Sequence, residues 1–241
     1  MSRPDEALQD PSAEDPMPFL GPFVLGGNFA SPAYYIAEIA KSLAGFDPFG
    51  WAAQHMEGDW EAVEKAGGAA GNLGRFNAAY AEALRTDWQN TVEQSWQGKA
   101  ATAAETYFNQ LARSVDFQVR SLEEIERKLS NTATLMRERA RLVADLLQDV
   151  ADEIIFLAAS WAAEAILASS LVGAPAAAAQ AAVSAACIAR IIIKIDQVVN
   201  WVTVTFKVVY GVIGELYGLS NQTAPDKLPP LPNAAYDNLG V

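Results

Sequence analysis

Apolar positions recur at steps of three and four through most of this chain, the spacing that keeps side chains on one face of an α-helix. Leu73, Phe76, Tyr80, Leu84, Trp88 and Thr91 form one such row, which ends near Ser95. After Trp96-Gln97-Gly98 a longer row begins: Leu111, Val115, Gln118, Leu122, Ile125, Leu129, Thr132, Met136, Ala140, Val143, Leu147, Val150, Ile154, Leu157 and Trp161, with a single slip. No Gly or Pro falls between Lys99 and Val172. A helix of up to about 74 residues, roughly 110 Å long at about 1.5 Å per residue, is predicted there. A periodic run of that length without caps is the pattern of a coiled coil or bundle seam. Gly173-Ala174-Pro175 is the first strong break and predicts a reversal of the chain. A last row then follows through Ile188, Ile192, Ile195, Val199, Val202, Phe206, Val209, Ile213 and Leu216.

Two stretches admit a second reading. Between Val198 and Val212 the density of β-branched residues also suits a strand, with Trp201, Thr203, Thr205 and Lys207 alternating against Val202, Val204, Phe206 and Val208. The helix is preferred because the period continues from the preceding residues and no second strand exists to pair with. Upstream, Tyr35, Ile36, Ile39 and Leu43 suit one face of a short helix stopped by Gly45. Asp47-Pro48 starts the next, since Asp caps well and Pro at the first helical position lacks a donor the helix would leave unused. That second helix is expected to run from Pro48 to about Ala66. The run Gly67-Gly68-Ala69-Ala70-Gly71 reads as a break or loose connector, because each Gly costs a helix roughly 1 kcal/mol relative to Ala.

The organisation expected is therefore an acidic, Pro-rich N-terminal arm at 1–32, a helical hairpin with an extended second helix at 33–172, an apolar helix at 173–219 packing on it, and a Pro-rich tail or linker at 220–241. The fold class is all-α: an elongated hairpin or bundle with a very long central helix and an apolar C-terminal helix packed back on it.

The triplet Trp96-Gln97-Gly98 between two amphipathic rows is where the chain resembles a family, the Trp-x-Gly (WXG) helical-hairpin superfamily of type VII (ESX-type) secretion substrates. The stretch LGRFNAAYAEALRTDWQNTVEQSWQGKAATAAETYFNQLARSV places helix, turn and helix as that family does. The upstream FDPFGWAAQHMEGDWEAVEKAGGAAGNLGRF, with Trp51 and Gly58-Asp59-Trp60, resembles the lead-in of larger actinobacterial members. Together they cover roughly residues 46 to 120. Gly98 permits the positive φ that a tight reversal needs, and Trp96 is large enough to cover the open end of the hairpin core. The same residues also suit an ordinary bundle, with Trp96 a helix-end core residue and Gly98 a simple cap.

The resemblance implies a non-enzymatic substrate, or the targeting module of a larger effector, acting by helix-helix recognition. Its partners would be a second helical-hairpin protein or a second copy, and the export machinery. Localisation would be cytoplasmic before export, then secreted or cell-surface by a signal-peptide-independent route. The turn residues Trp96 and Gly98, with Trp60 in support, are the site residues it points to. One family feature is missing: Tyr107, Tyr210, Tyr217 and Tyr236 are followed four residues later by Leu111, Gly214, Asn221 and Gly240 where the family's Tyr-x-x-x-Asp/Glu needs an acid. Tyr34-x-x-x-Glu38 has the spacing but lies upstream of the hairpin. A partner chain would then supply the other half of the export signal.

Composition narrows the chemistry. With 17 Lys+Arg against 29 Asp+Glu, a net charge of −12 and no basic window, the counterion release that drives nucleic-acid binding has no source. One Cys excludes an internal disulfide, and one His restricts Ser-His or Cys-His chemistry to a single position and leaves no His-rich metal site. No cofactor and no metal is expected. Asp145, Asp149 and Asp152 share a helix face and could in principle do acid-base or metal work, but beside Arg137, Arg139 and Arg141 they read as a solvated stripe. His55, near Glu57 and Asp59, reads as a helix-surface residue. The first residues lack a basic segment followed by an apolar one, so no conventional signal peptide is read there.

The alternative reading of function comes from the C-terminal half. Residues 165 to 189 carry no charge, although 12 of the 25 are Ala and Pro175 and Gln180 lie among them, which is weakly apolar for a spanning helix. Arms around Gly173 and Pro175 could form a membrane-active or pore-forming hairpin using the region 154–216, with Glu164 needing a partner. Packed together, the same arms would be core.

Overall fold

The computed structural model describes residues 3–11, 32–169 and 174–222. Among these residues every extended regular element is helical. After a 3-10 turn at Pro4–Ala7 come α1 (Pro32–Ala44), α2 (Pro48–Met56), α3 (Trp60–Asp87), α4 (Lys99–Ala168) and α5 (Ala174–Ser220). The region 198–212 is helix, continuous with the residues on either side. Contacts divide the chain into two compact units, one of 3–11, 62–130 and 213–222, the other of 32–61, 131–169 and 174–212.

In the second unit α4 and α5 lie antiparallel around a shared seam. From α4 it takes Met136, Ala140, Val143, Leu147, Val150, Ile154 and Leu157, as the periodicity predicts; Trp161, expected to continue the row, is 40% exposed. From α5 it takes Ser184, Cys187, Ile191, Ile195, Val198, Val202 and Thr205. Ile195 and Val202 are seam members as the row predicts, while Cys187, Ile191, Val198 and Thr205 take the places expected of Ile188, Ile192, Val199 and Phe206, and Ile192 is 40% exposed. The polar members are satisfied locally. Gln180 Nε2 donates to Ser160 Oγ, Ser184 Oγ donates to the same oxygen at 3.2 Å, and Thr205 Oγ1 donates to the Trp201 carbonyl at 2.7 Å. Charged pairs flank the seam: Arg190 meets Glu153 through two bonds of 3.0 Å, Lys194 sits 3.2 Å from Asp149, and the Arg139 guanidinium lies 4.2 Å from the centre of the Trp201 ring.

The short helices close one side of this core with Ala40, Phe49, Ala52 and Met56. Asp47 caps α2 as expected, accepting from the Phe49 and Gly50 amides at 3.1 and 3.0 Å. The helix stops at Met56, however, well before Ala66. Gly58-Asp59-Trp60 makes the break: the Trp60 indole donates to the Met56 carbonyl at 3.2 Å, satisfying an end of α2, and its ring lies so close over Gly58 that a Cβ there would meet it at 2.9 Å.

The expected break at Gly67–Gly71 is not found. Helix α3 runs straight through it, with Gly67, Gly71 and Gly74 buried. In the first unit this face packs on α4, and a Cβ on Gly67 would approach Leu129 Cβ to 3.1 Å and the Glu126 carbonyl to 3.3 Å. The glycines form a slot for a neighbouring helix backbone, and close packing offsets their weak helical propensity. Of the reversal after α4, Gly173 lies outside the described residues and Pro175 is the second residue of α5.

Much of α5 stays exposed. Its most apolar 18-residue window, within Pro175–Ser220, has a mean hydropathy of 1.8 and is 17% buried, long and apolar enough to cross a bilayer by length and composition. Ile193, Val208 and Tyr210 are prominent on the outward face of its second-unit part.

Candidate functional site

The first unit carries the hairpin of α3 and α4. Asn77 Nδ2 donates to Gln118 Oε1 at 3.2 Å and Arg85 pairs with Asp116 at 3.2 Å, so the two helices run antiparallel up to the Trp96-Gln97-Gly98 turn. Before the turn the backbone departs from α winding. Trp88–Val92 forms a π-helical turn, closed by the Glu93 amide donating to the Trp88 carbonyl five residues back, and one further helical turn, Glu93–Ser95, follows. One extra residue per turn resets which side chains face the hairpin partner. Trp96 then becomes extended (φ −129°, ψ 117°), its amide still bonded to the Val92 carbonyl at 2.9 Å.

Gly98 adopts φ +104°, as the reversal was expected to need, and its carbonyl accepts from the Thr102 amide at 3.1 Å to open α4. A Cβ at Gly98 would meet nothing within 4 Å, so the requirement for glycine is set by backbone conformation alone.

These elements bring four aromatic rings together. Trp88 is 8% exposed, with its ring centre 5.5 Å from Phe108 and 6.1 Å from Trp96. Trp96 remains 45% exposed, so it shields the hairpin end only in part. With Tyr80, Leu84 and Val92 they line an open cavity of about 380 Å³ that has Asp87 among its lining residues. The Trp88 Nε1 donor is buried and has no hydrogen-bond partner among the described residues. An unmet indole donor inside an apolar recess costs free energy that a carbonyl-bearing ligand would recover. Phe108 was missed in the sequence because it precedes the long row that begins at Leu111; its only signal was the aromatic pair Tyr107-Phe108 on the first turns of α4.

Trp60 belongs to the second unit, whereas Trp96 and Gly98 belong to the first. His55 Nδ1 donates to the Trp51 carbonyl at 2.7 Å, with its ring centre 4.4 Å from that of Trp51 and 5.7 Å from that of Phe206. Asp145, Asp149 and Asp152 are exposed on α4, and no group of three metal-capable side chains occurs among the described residues. Arg190, through its hydrogen bonds, holds the Glu153 carboxyl below the ordinary carboxylate range. Burial, reinforced by a thiol bond of 3.1 Å to Glu153, pushes the Cys187 thiol up. A thiol raised this way is a poor nucleophile.

Neither the curated proteins nor the solved structures compared with the chain gave a match. A family model did: residues 61–141, about a third of the chain, match WXG100, described as proteins of 100 residues with WXG. That span begins in α3, contains the whole turn and ends within α4, so it coincides with the hairpin whose tip has just been described. This hairpin is a member of the WXG helical-hairpin superfamily, carried on a chain longer than the hundred residues of the family's description.

Proposed function

We propose that the chain is a type VII secretion-associated helical protein that works by recognition: its helical faces pair with a second hairpin protein or a second copy, and the Trp96-Gln97-Gly98 tip is presented to the export machinery. It would be exported without a signal peptide and would act as a substrate or as the targeting part of a larger effector, with no catalytic step of its own. The observation that carries this reading is the tip itself, a half-exposed Trp96 held beside Gly98 at φ +104° in the region matched by the family. An exposed large aromatic next to a rigid reversal is the kind of anchor that recognition surfaces use. Trp60 contributes in this reading by fixing where α3 begins.

The test is secretion from a host with an intact type VII apparatus. Trp96→Ala and Gly98→Ala should each abolish export while leaving solubility and the helical circular-dichroism signal in place. Export of Trp96→Ala at the level of the parent chain would overturn the proposal.

A further inference from the structure

We infer that the aromatic recess at the hairpin tip is a docking site for the chain's own proline-rich segment, Lys227-Leu228-Pro229-Pro230-Leu231-Pro232. Direction and reach come first. Lys128 pairs with Glu215, and Ser121 Oγ donates to Gln222 Oε1 at 3.0 Å, so α5 leaves the described residues heading along α4 toward its N-terminal end, where the recess lies. From Ser121 to Phe108 is thirteen residues of helix, about 20 Å at about 1.5 Å per residue. From Gln222 to Pro229 is seven residues, about 22 Å at the roughly 3.1 Å per residue of a polyproline II chain, and Pro232 reaches about 31 Å. The segment therefore arrives at the recess with a small excess of length for passing around α4.

Chemistry matches reach. Three prolines in four residues fix φ near the polyproline II value and leave carbonyls with no internal hydrogen bond. Grooves that receive such segments are lined by aromatic rings. Here Tyr80, Trp88, Trp96 and Phe108 supply the rings, and the buried Trp88 Nε1, without a partner among the described residues, supplies the donor a proline-segment carbonyl needs. Lys227 immediately precedes the apolar run, and Asp87, exposed beside the recess, forms no ion pair among the described residues. Docking would cover Trp96. The consequence, which rests on the recognition reading above, is that the export machinery meets the tip either covered or after displacing the segment.

The experiment uses the full chain with ¹⁵N-labelled tryptophan side chains, Trp88→Phe assigning the Trp88 indole signal. Replacing Pro229, Pro230 and Pro232 together by Ala should shift the Trp88 indole cross-peak and speed its hydrogen exchange about tenfold, because the donor loses its acceptor. The signals of Trp51, Trp161 and Trp201 should stay in place. Millimolar peptide of residues 226–233 added to that variant should move the Trp88 signal back toward its parent position. A Trp88 signal and exchange rate identical in parent and triple variant would overturn the inference. So would a parent-chain shift that grows with protein concentration, since the occupant would then be another copy's segment. Neither readout involves secretion, so normal export of Trp96→Ala would overturn the functional proposal and leave this one standing.

Discussion

Glu153 shows how one side chain ties together several parts of the second-unit core. It accepts two hydrogen bonds from Arg190 and one from the Cys187 thiol, and Lys194 lies 3.8 Å away. The Arg190 bonds keep its folded-state pKa below the unfolded value. A lowered carboxyl contributes stability that is present above the unfolded pKa and disappears as pH falls through the folded one. The parent chain should accordingly unfold at higher urea than Glu153→Gln at pH 7, and the two midpoints should converge as pH drops below the ordinary carboxylate range. A constant gap down to pH 3 would show that the ionised carboxylate is not the source. Nothing in the sequence signalled this residue, because its partners lie 34 and 37 positions away. The turn residues were legible for the opposite reason. A glycine after a tryptophan between two helical rows needs only local conformation to be recognised.

At the scale of elements, helical type was legible, whereas the boundary between α2 and α3, the phase of part of α5 and the glycine run were not. The phase of α5 slipped because Ile191, Ile192 and Ile193 are consecutive, so the apolar pattern does not say which one enters the seam. Packing against α4 selects Ile191, fully buried, and leaves Ile193 56% exposed. The glycine run of α3 was misread because propensity concerns an isolated helix, whereas the slot is a property of two. That distinction is measurable. Gly74 has room for a methyl group, its nearest neighbour being Leu122 Cβ at 3.4 Å, while Gly67 would press on Leu129 and on the α4 backbone. Gly74→Ala should therefore gain up to about 1 kcal/mol of stability from helix propensity. Gly67→Ala should lose about 1–3 kcal/mol to overpacking despite the same propensity gain. Equal effects of the two substitutions on the urea midpoint would refute the slot.

For the molecule as a whole, the sequence conveyed what the chain is short of more readily than what it presents. Its acidic excess and single histidine argued for a scaffold, and the described residues carry their charges mainly on solvent-facing helix surfaces. The aromatic recess was hidden because Trp88, Trp96 and Phe108 belong to three different segments and meet only through the π turn. Deleting Asn90 alone tests that turn: an i→i+4 bond would replace the i→i+5 bond, and the residues beyond would keep their place relative to Trp88. Helical content and the shielding of the Trp88 indole by Trp96 should both stay, so acrylamide quenching should match the parent's. Quenching that rises in the deletion would show that the residues beyond do not keep that place. The π turn Trp88–Val92 holds one residue more than α winding would need between Trp88 and the tip. A chain with one residue fewer there and plain α winding would present the same tip, so the count of residues from Trp88 to the Trp-x-Gly letters is less strict than the letters themselves.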